Sequence, residues 1–343
     1  MHPPRRLYEK AKDAPHRHGA RPPMIEAFAA AFSGTLSAIA VIFLVVLVSV
    51  FMARRGLITQ TQIGGLSAAT VNLFLPCLIF AKVVEHFEPS SQPGWWALPL
   101  AGIVIALVGT GLGALVFARQ LPEKRDMLPL AGMQNAGYLV LPVGLALYPD
   151  RFDTFAVYVF LFILGFNPIL WSLGKILVTG KSGQKPRLRD LLTPPLVANL
   201  VGIGAALSGG GRLLPKPVID AIELVGTAAV PVATVVLGAV LGGISVRFRS
   251  HLGDAARAMA VKFFALPLIV VVVLHAVRLH AANPLLAEFF VIEAASAPAV
   301  GLVLQVRTYG GNEQRVGTVM FISYVACTLA LPAWVAVWRL IVQ

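Results

Sequence analysis

The stretch that decides the fold is "GMQNAGYLVLPVGLALYPD", residues 132–150. It is apolar enough to lie in a membrane. Yet it holds Gln134 and Asn135, two glycines (Gly132 and Gly137) ahead of its middle, and Pro142 where helix interior is expected. Proline removes a backbone donor and clashes with the preceding turn, and glycine weakens a helix. In hydrocarbon every freed backbone N–H or C=O is costly, so a break of this kind is tolerated only where the backbone lines a cavity or is buried in protein.

Working outward, the whole chain has the composition such a segment needs. Of 343 residues, 57% are hydrophobic and only 13% charged, against about 25% charged in an ordinary soluble domain. So few charges cannot cover the surface of a soluble protein this size, and a polytopic membrane protein is expected. The net charge of +12 then belongs to basic cytoplasmic loops. No basic stripe with interleaved aromatics is present, so nucleic acid is not an expected partner. Cys77 and Cys327 lie in apolar runs without a CxxC and read as small buried hydrophobes. There is no HExxH and no GxxxxGK[ST], so zinc proteolysis and ATP-driven transport have no sequence support. No cofactor is expected, apart from a coupling H+ or Na+.

Residues 1–23 read as a disordered basic tail. Ten apolar runs follow: Ala31–Ala53, Gly64–Val84, Trp95–Ala118, Met127–Tyr148, Thr154–Val178, Leu191–Leu207, Val218–Leu241, Ala255–Val277, Pro284–Val306 and Val316–Leu340. A polar cytoplasmic connector, 181–190, divides them five and five. Lys and Arg concentrate in the loops after odd-numbered runs, for example Arg119, Lys124 and Arg125, while the loops after even-numbered runs hold only Lys82, Arg151, Arg212, Lys216 and Arg278. That bias puts the odd loops in the cytoplasm and both termini outside, in the cell inner membrane. The basic tail runs against this orientation; translation starting at Met24 would remove the conflict.

The breaks recur. "FLPCL" at Pro76 in the second run matches "AVPVA" at Pro231 in the seventh; "FNPIL" at Pro168 in the fifth matches "ALPAW" at Pro332 in the tenth. Laying Tyr148 on Tyr309 at the ends of the fourth and ninth runs brings Gly137 onto Pro298. Five helices repeated after an odd number of crossings must be inverted, the topology of secondary transporters whose sites lie at discontinuous helices. The expected fold is therefore all-α: ten transmembrane helices in a 5+5 inverted repeat, 24–180 and 191–343, with broken helices 4 and 9 crossing at midplane. Half-helix N-termini suit an anion and C-termini a small cation.

The segments "FMARRGLIT", "LSAATVNLFLPCLIF", "QNAGYLVLP", "LLTPPLVANLVG", "GTAAVPVATVVLGAVLGG" and "ASAPAVGLVLQVRTYGG" together resemble the auxin efflux carrier family over residues 31–340. The resemblance implies ten helices, crossed helices 4 and 9, and a core beside a scaffold. It also implies transport of a carboxylate: bacterial members look like malonate or malate permeases, and plant members export auxin. Two departures stand out: the ninth run has Ala297 and Ala299 around a single Pro298 where many relatives carry a second proline, and Gln134 precedes Asn135 where "GN-x-G" is common.

The candidate substrate-binding residues are Gln134, Asn135, Gly137, Ser296, Pro298 and Asn72. Glu293, five residues before Pro298, is the candidate for the coupling ion, because a carboxylate at that depth must be paired, protonated or wet. Glu223 and Glu288 are expected at the interface, Lys175 and Lys262 to snorkel, and Asn167 to satisfy carbonyls freed by Pro168. Asn199 could line the cavity or join two helices. No fully buried Lys or Arg is expected at midplane. The leading function is alternating-access transport of a small organic anion, with membrane lipid as the other partner and a homodimer allowed. An anion channel or an intramembrane enzyme are the alternatives; a channel would need a selectivity ring, and an enzyme a nucleophile and base or a metal cluster.

Overall fold

The computed structural model describes residues 23–90, 94–180 and 192–342. The expected tail, Pro23 apart, and the expected connector lie outside the described residues. In chain order the helices are α1 (Met24–Arg54), α2 (Gln60–His86), α3 (Ala97–Val116), the short α4 (Met127–Gly132) and α5 (Val140–Leu147), α6 (Pro149–Thr179) and α7 (Pro194–Ser208). Then come α8 (Lys216–Gly242), α9 (Arg249–Ala276), the short α10 (Pro284–Ala295) and α11 (Gly301–Tyr309), and α12 (Glu313–Ile341). Seven of these, α1, α2, α3, α6, α8, α9 and α12, are long and apolar enough to cross a membrane. Among the described residues there is no strand. The chain is an all-helical, multi-pass membrane protein.

Several helices begin before their apolar runs, and at α2 a cap, not hydropathy, sets the start. α1 extends back from Ala31 to Met24, stopping at Pro23. α2 starts at Gln60 rather than Gly64: the Thr59 hydroxyl accepts from the Gln62 N–H at 3.3 Å, and Gln62 Oε1 accepts from the Thr59 N–H at 2.8 Å, a reciprocal cap. Val41, Leu44, Leu47, Val48 and Phe51 on α1, and Leu100, Val104 and Leu107 on α3, remain exposed. In water that face would be a liability; against lipid it is the expected outer surface.

Prolines shape the spans from within. α2 widens to a π-turn at Thr70–Phe74 ahead of Pro76, α6 at Leu170–Gly174 just past Pro168, and α9 at Val261–Ala265 ahead of Pro267. Each accommodates the hydrogen bond that proline cannot make. α8 has a turn at Thr227–Ala228, before Pro231. In α9 the freed carbonyl of Phe263 accepts from Trp334 Nε1 at 2.7 Å.

Packing sorts the helices. α2 lies against α7 and α8, and α1 against α8 and α12. α3 packs on α4 and α6, and α9 and α12 pack on α10. The α3–α4 approach is closest at Gly109 and Gly132, where a Cβ on Gly109 would stand 2.6 Å from the Gly132 Cα.

Several charged residues sit where the sequence reading did not put them. Lys82, read as a loop residue, is buried in the last turns of α2, 2.7 Å from Asp153 and in contact with Glu223. Glu223 is therefore an ion-pair partner. Glu288 likewise pairs with Arg339 at 2.7 Å. Lys175 does not snorkel; it is buried, with Nζ 3.7 Å from the centre of the Tyr309 ring. For Lys175 a tertiary partner replaces the water that snorkelling would have sought.

Candidate functional site

α4 ends at Gly132 and α10 at Ala295, and the segments that follow are extended, not helical. They cross antiparallel, with Gln134 bridged to Pro298. The Asn135 N–H donates to Ala297 O at 2.8 Å, and the Ala299 N–H to Met133 O at 2.9 Å. Each break thus supplies the partners the other lost, which is how interrupted helices survive away from water.

The two amides at the break have different fates. Asn135 is built into the crossing: its Nδ2 donates to the Tyr324 hydroxyl at 2.6 Å, and its Oδ1 accepts from the Tyr138 N–H at 3.2 Å. The Tyr324 hydroxyl in turn donates to Pro298 O at 3.0 Å. One side chain from α12 therefore ties both breaks together. Gln134 is completely buried, and neither its Nε2 nor its Oε1 has a partner among the described residues. An amide left in that state costs roughly 1–3 kcal/mol, so it marks a place built to meet something polar.

Gln134 lines a cavity of about 120 Å³, room for several waters or a small solute. Its walls include Ala136, Gly137 and Tyr138 before α5, and Ala299, Val300 and Gly301 at the start of α11. Both half-helix N-termini therefore open on the same space. Asn167 and Trp171 of α6, and Thr193 and Pro195 at the start of α7, complete the lining. Asn167 accordingly faces the cavity instead of serving the carbonyls around Pro168. Asn199 joins helices: its Nδ2 donates to Phe160 O. Asn72 is exposed and does not line the cavity; the π-turn gives that wall to Val71 and Leu75.

Glu293 and Ser296 lie behind the crossing, outside the cavity lining. Both are fully buried; the Ser296 hydroxyl donates to Glu293 O at 3.0 Å. Lys262, from the α9 bulge, reaches the last turn of α10 next to Glu293. Lys262 has no exposed surface, and its Nζ donates to Ala294 O at 3.2 Å. This corrects the expectations that Lys262 snorkels and that no lysine is fully buried at depth. The π-turn rotates Lys262 toward α10, a change no helical-wheel reading contains.

Tyr324 and Lys262 are the residues the sequence reading missed. Tyr324 carried a signal, a polar-tipped residue beside Ser323 in the middle of an apolar run. A carboxylate group of Glu85, Asp220 and Glu223 is close enough to share a metal ion, but Lys216 stands 3.0 Å from Asp220 and Lys82 contacts Glu223. Lysines already supply the positive charge there.

Comparison with known proteins agrees with this architecture. Residues of this chain are 31% identical over 93 positions to Protein PIN-LIKES 2 of Arabidopsis thaliana, covering 26% of this chain and 20% of that protein. They are 24% identical over 165 positions to Protein PIN-LIKES 1 of the same plant, covering 44% and 34%. The matched stretches thus span at most about a third of these curated relatives. A family model described as Membrane transport protein matches residues 35–187 and 178–335, nearly all the described chain, so the chain belongs to this transport family, that of the auxin efflux carriers.

Proposed function

We propose that the protein is a secondary carrier for a small organic anion, working by alternating access about the crossing of the two broken segments. The observation that carries this reading is the cavity on which both half-helix N-termini open, with the backbone crossing at Gln134 in its wall. Helix N-termini present free N–H groups and partial positive charge, the chemistry of a carboxylate site. Gln134 adds a donor without a second formal charge. A dicarboxylate such as malonate or malate is the first substrate class to try.

The same reading takes α4–α5 and α10–α11 as the fourth and ninth of ten crossings in an inverted repeat. In its support, Gln134 and Pro298, opposite each other in the crossing, are 164 positions apart, as are Pro168 and Pro332. That register differs by three residues from the one obtained by aligning Tyr148 with Tyr309, which put Gly137 on Pro298. The cavity extends toward the α7 start and the second half of α6, the end that carries the basic loops. The cavity is then the cytoplasmic vestibule of an inner-membrane carrier, and the Lys82–Asp153–Glu223 bridge closes the far end.

The test is counterflow of labelled malonate and malate in proteoliposomes. Saturable exchange that falls at least about tenfold in Gln134→Leu, a loss of order 1.4 kcal/mol in binding, supports the reading. Flux that neither saturates nor exchanges points to a channel.

A further inference from the structure

α1 packs against α12, yet the seam between them holds a groove of about 240 Å³. Its floor is made of buried side chains: Phe43 and Val46 of α1, Leu241 of α8 and Tyr324 of α12. Its rim, Leu47 of α1 and Val325 of α12, is 60% and 59% exposed. Both rim residues stand well inside long apolar helices, so the groove opens sideways into hydrocarbon.

The lining decides what can lie there. It holds two hydroxyls, and both donate elsewhere: Tyr324 to Pro298 O at 3.0 Å, and Thr328 to Val325 O within its own helix. No donor is left on the lining side chains to orient a polar solute, so the occupant's body must be apolar. Charge is supplied at one end. Arg54 follows Val50 by one turn on the same face of α1. Its guanidinium stands 5.1 Å from the centre of the Phe321 ring, a wall of the groove on α12. Arg54 is exposed, and no carboxylate pairs with it among the described residues. A guanidinium at the mouth of an apolar groove selects an anionic head on an apolar chain. This end of the bundle carries the basic loops, which face the leaflet where anionic lipid headgroups gather.

We propose that the α1–α12 groove binds an anionic phospholipid, with the headgroup phosphate on Arg54 and one acyl chain laid along Phe321, Tyr324 and Thr328. Those three residues share one face of α12 and span about 10 Å of helix. The floor gives the site a consequence. Tyr324 is the side chain that ties the two broken segments together through Asn135 and Pro298. An acyl chain supplies the dispersion contacts that an empty groove withholds from it. Bound lipid therefore holds Tyr324 on its partners and steadies the crossing. What this does to transport rests on the carrier reading above; the lipid site does not, and its test needs no transported substrate.

The purified full chain, stripped of lipid in nonionic detergent, is titrated with phosphatidylglycerol, with phosphatidylcholine of the same chains, and with oleate. Tm, bound lipid by native mass spectrometry and amide hydrogen exchange are followed. Phosphatidylglycerol should raise Tm saturably, with a single tightly held molecule per chain, and phosphatidylcholine should do less at the same concentration. Exchange should slow at the Asn135 and Ala299 N–H groups, which bond across the crossing. Arg54→Gln should weaken phosphatidylglycerol binding about fivefold, the worth of one arginine at an anionic lipid surface. Arg55→Gln should bind as wild type does, because Arg55 stacks on Phe51, outside the groove. Val325→Phe fills the groove from its rim and should abolish the difference between the two phospholipids; Leu47→Trp does the same from the other wall if that variant does not fold. Equal stabilisation by both phospholipids would overturn the proposal, as would equal losses in Arg54→Gln and Arg55→Gln, the sign of general charge attraction. Tighter binding of oleate would give the groove to a free fatty acid, and a Tm that climbs with protein concentration without lipid would give it to a second copy of the chain; either result overturns it. Amide exchange unmoved by bound lipid would overturn the link to the crossing.

Discussion

Gln134 and Asn135 are neighbours in the chain, yet only Asn135 has its hydrogen bonds made. That difference predicts opposite phenotypes. Asn135→Ala removes the bonds to the Tyr324 hydroxyl and the Tyr138 N–H and should lower folding stability by about 1–3 kcal/mol, seen as a drop in Tm. Tyr324→Phe deletes both of that hydroxyl's bonds while keeping its ring, and should cost about 1–2 kcal/mol by the same measurement. Gln134→Leu removes an unpartnered buried amide, so Tm should hold or rise while uptake collapses. If Gln134→Leu lowers Tm as much as Asn135→Ala does, Gln134 is a structural residue. The amides were legible in the sequence as a pair at a break, but their division of labour was not. It depends on a tyrosine nearly 190 positions away in the chain.

At the scale of elements, the breaks at 133–139 and 296–300 were readable because glycine, proline and amides inside apolar runs act locally on backbone geometry. The π-turns were not readable as such: proline announces a disturbance without saying which way the helix absorbs it. That distinction mattered, since the α9 bulge aims Lys262 inward and the α2 bulge leaves Asn72 exposed. The close α3–α4 approach makes a further prediction. Gly132→Val would drive a side chain into the Thr110 backbone. It should cost about 1–3 kcal/mol through overpacking, read as lost Tm and lower yield of folded protein. Gly137→Ala, with open space at its Cβ, should leave folding stability within about 0.5 kcal/mol of wild type, with Tm almost unchanged, and serves as the control.

At the scale of the whole molecule, Lys82 of α2 joins Asp153 of α6 and Glu223 of α8, at the opposite end of the bundle from the α7 wall of the cavity. If these helices move apart during the cycle, the bridge must break each time. Lys82→Met should then populate the alternative state, measured as faster labelling of a cysteine introduced at Leu78, which is buried in α2 close to this bridge. An unchanged labelling rate would mean that the bridge is static. Because Lys82 is nearly buried between two acids, removing it also leaves carboxylates to repel each other, so Tm should fall.

What the sequence determined by itself was everything that follows from local chemistry and period: membrane residence, the apolar spans, the broken segments and the family. Those depend on hydropathy, proline and glycine, which act within a turn or two of where they stand. What only the tertiary structure decided was the pairing of distant groups. Lys262 on the Ala294 carbonyl, Lys82 between Asp153 and Glu223, and Tyr324 on Asn135 all join residues tens to hundreds of positions apart. The physical reason is that a buried charge or amide in hydrocarbon must find a partner, and helix packing, not spacing along the chain, selects which partner it finds.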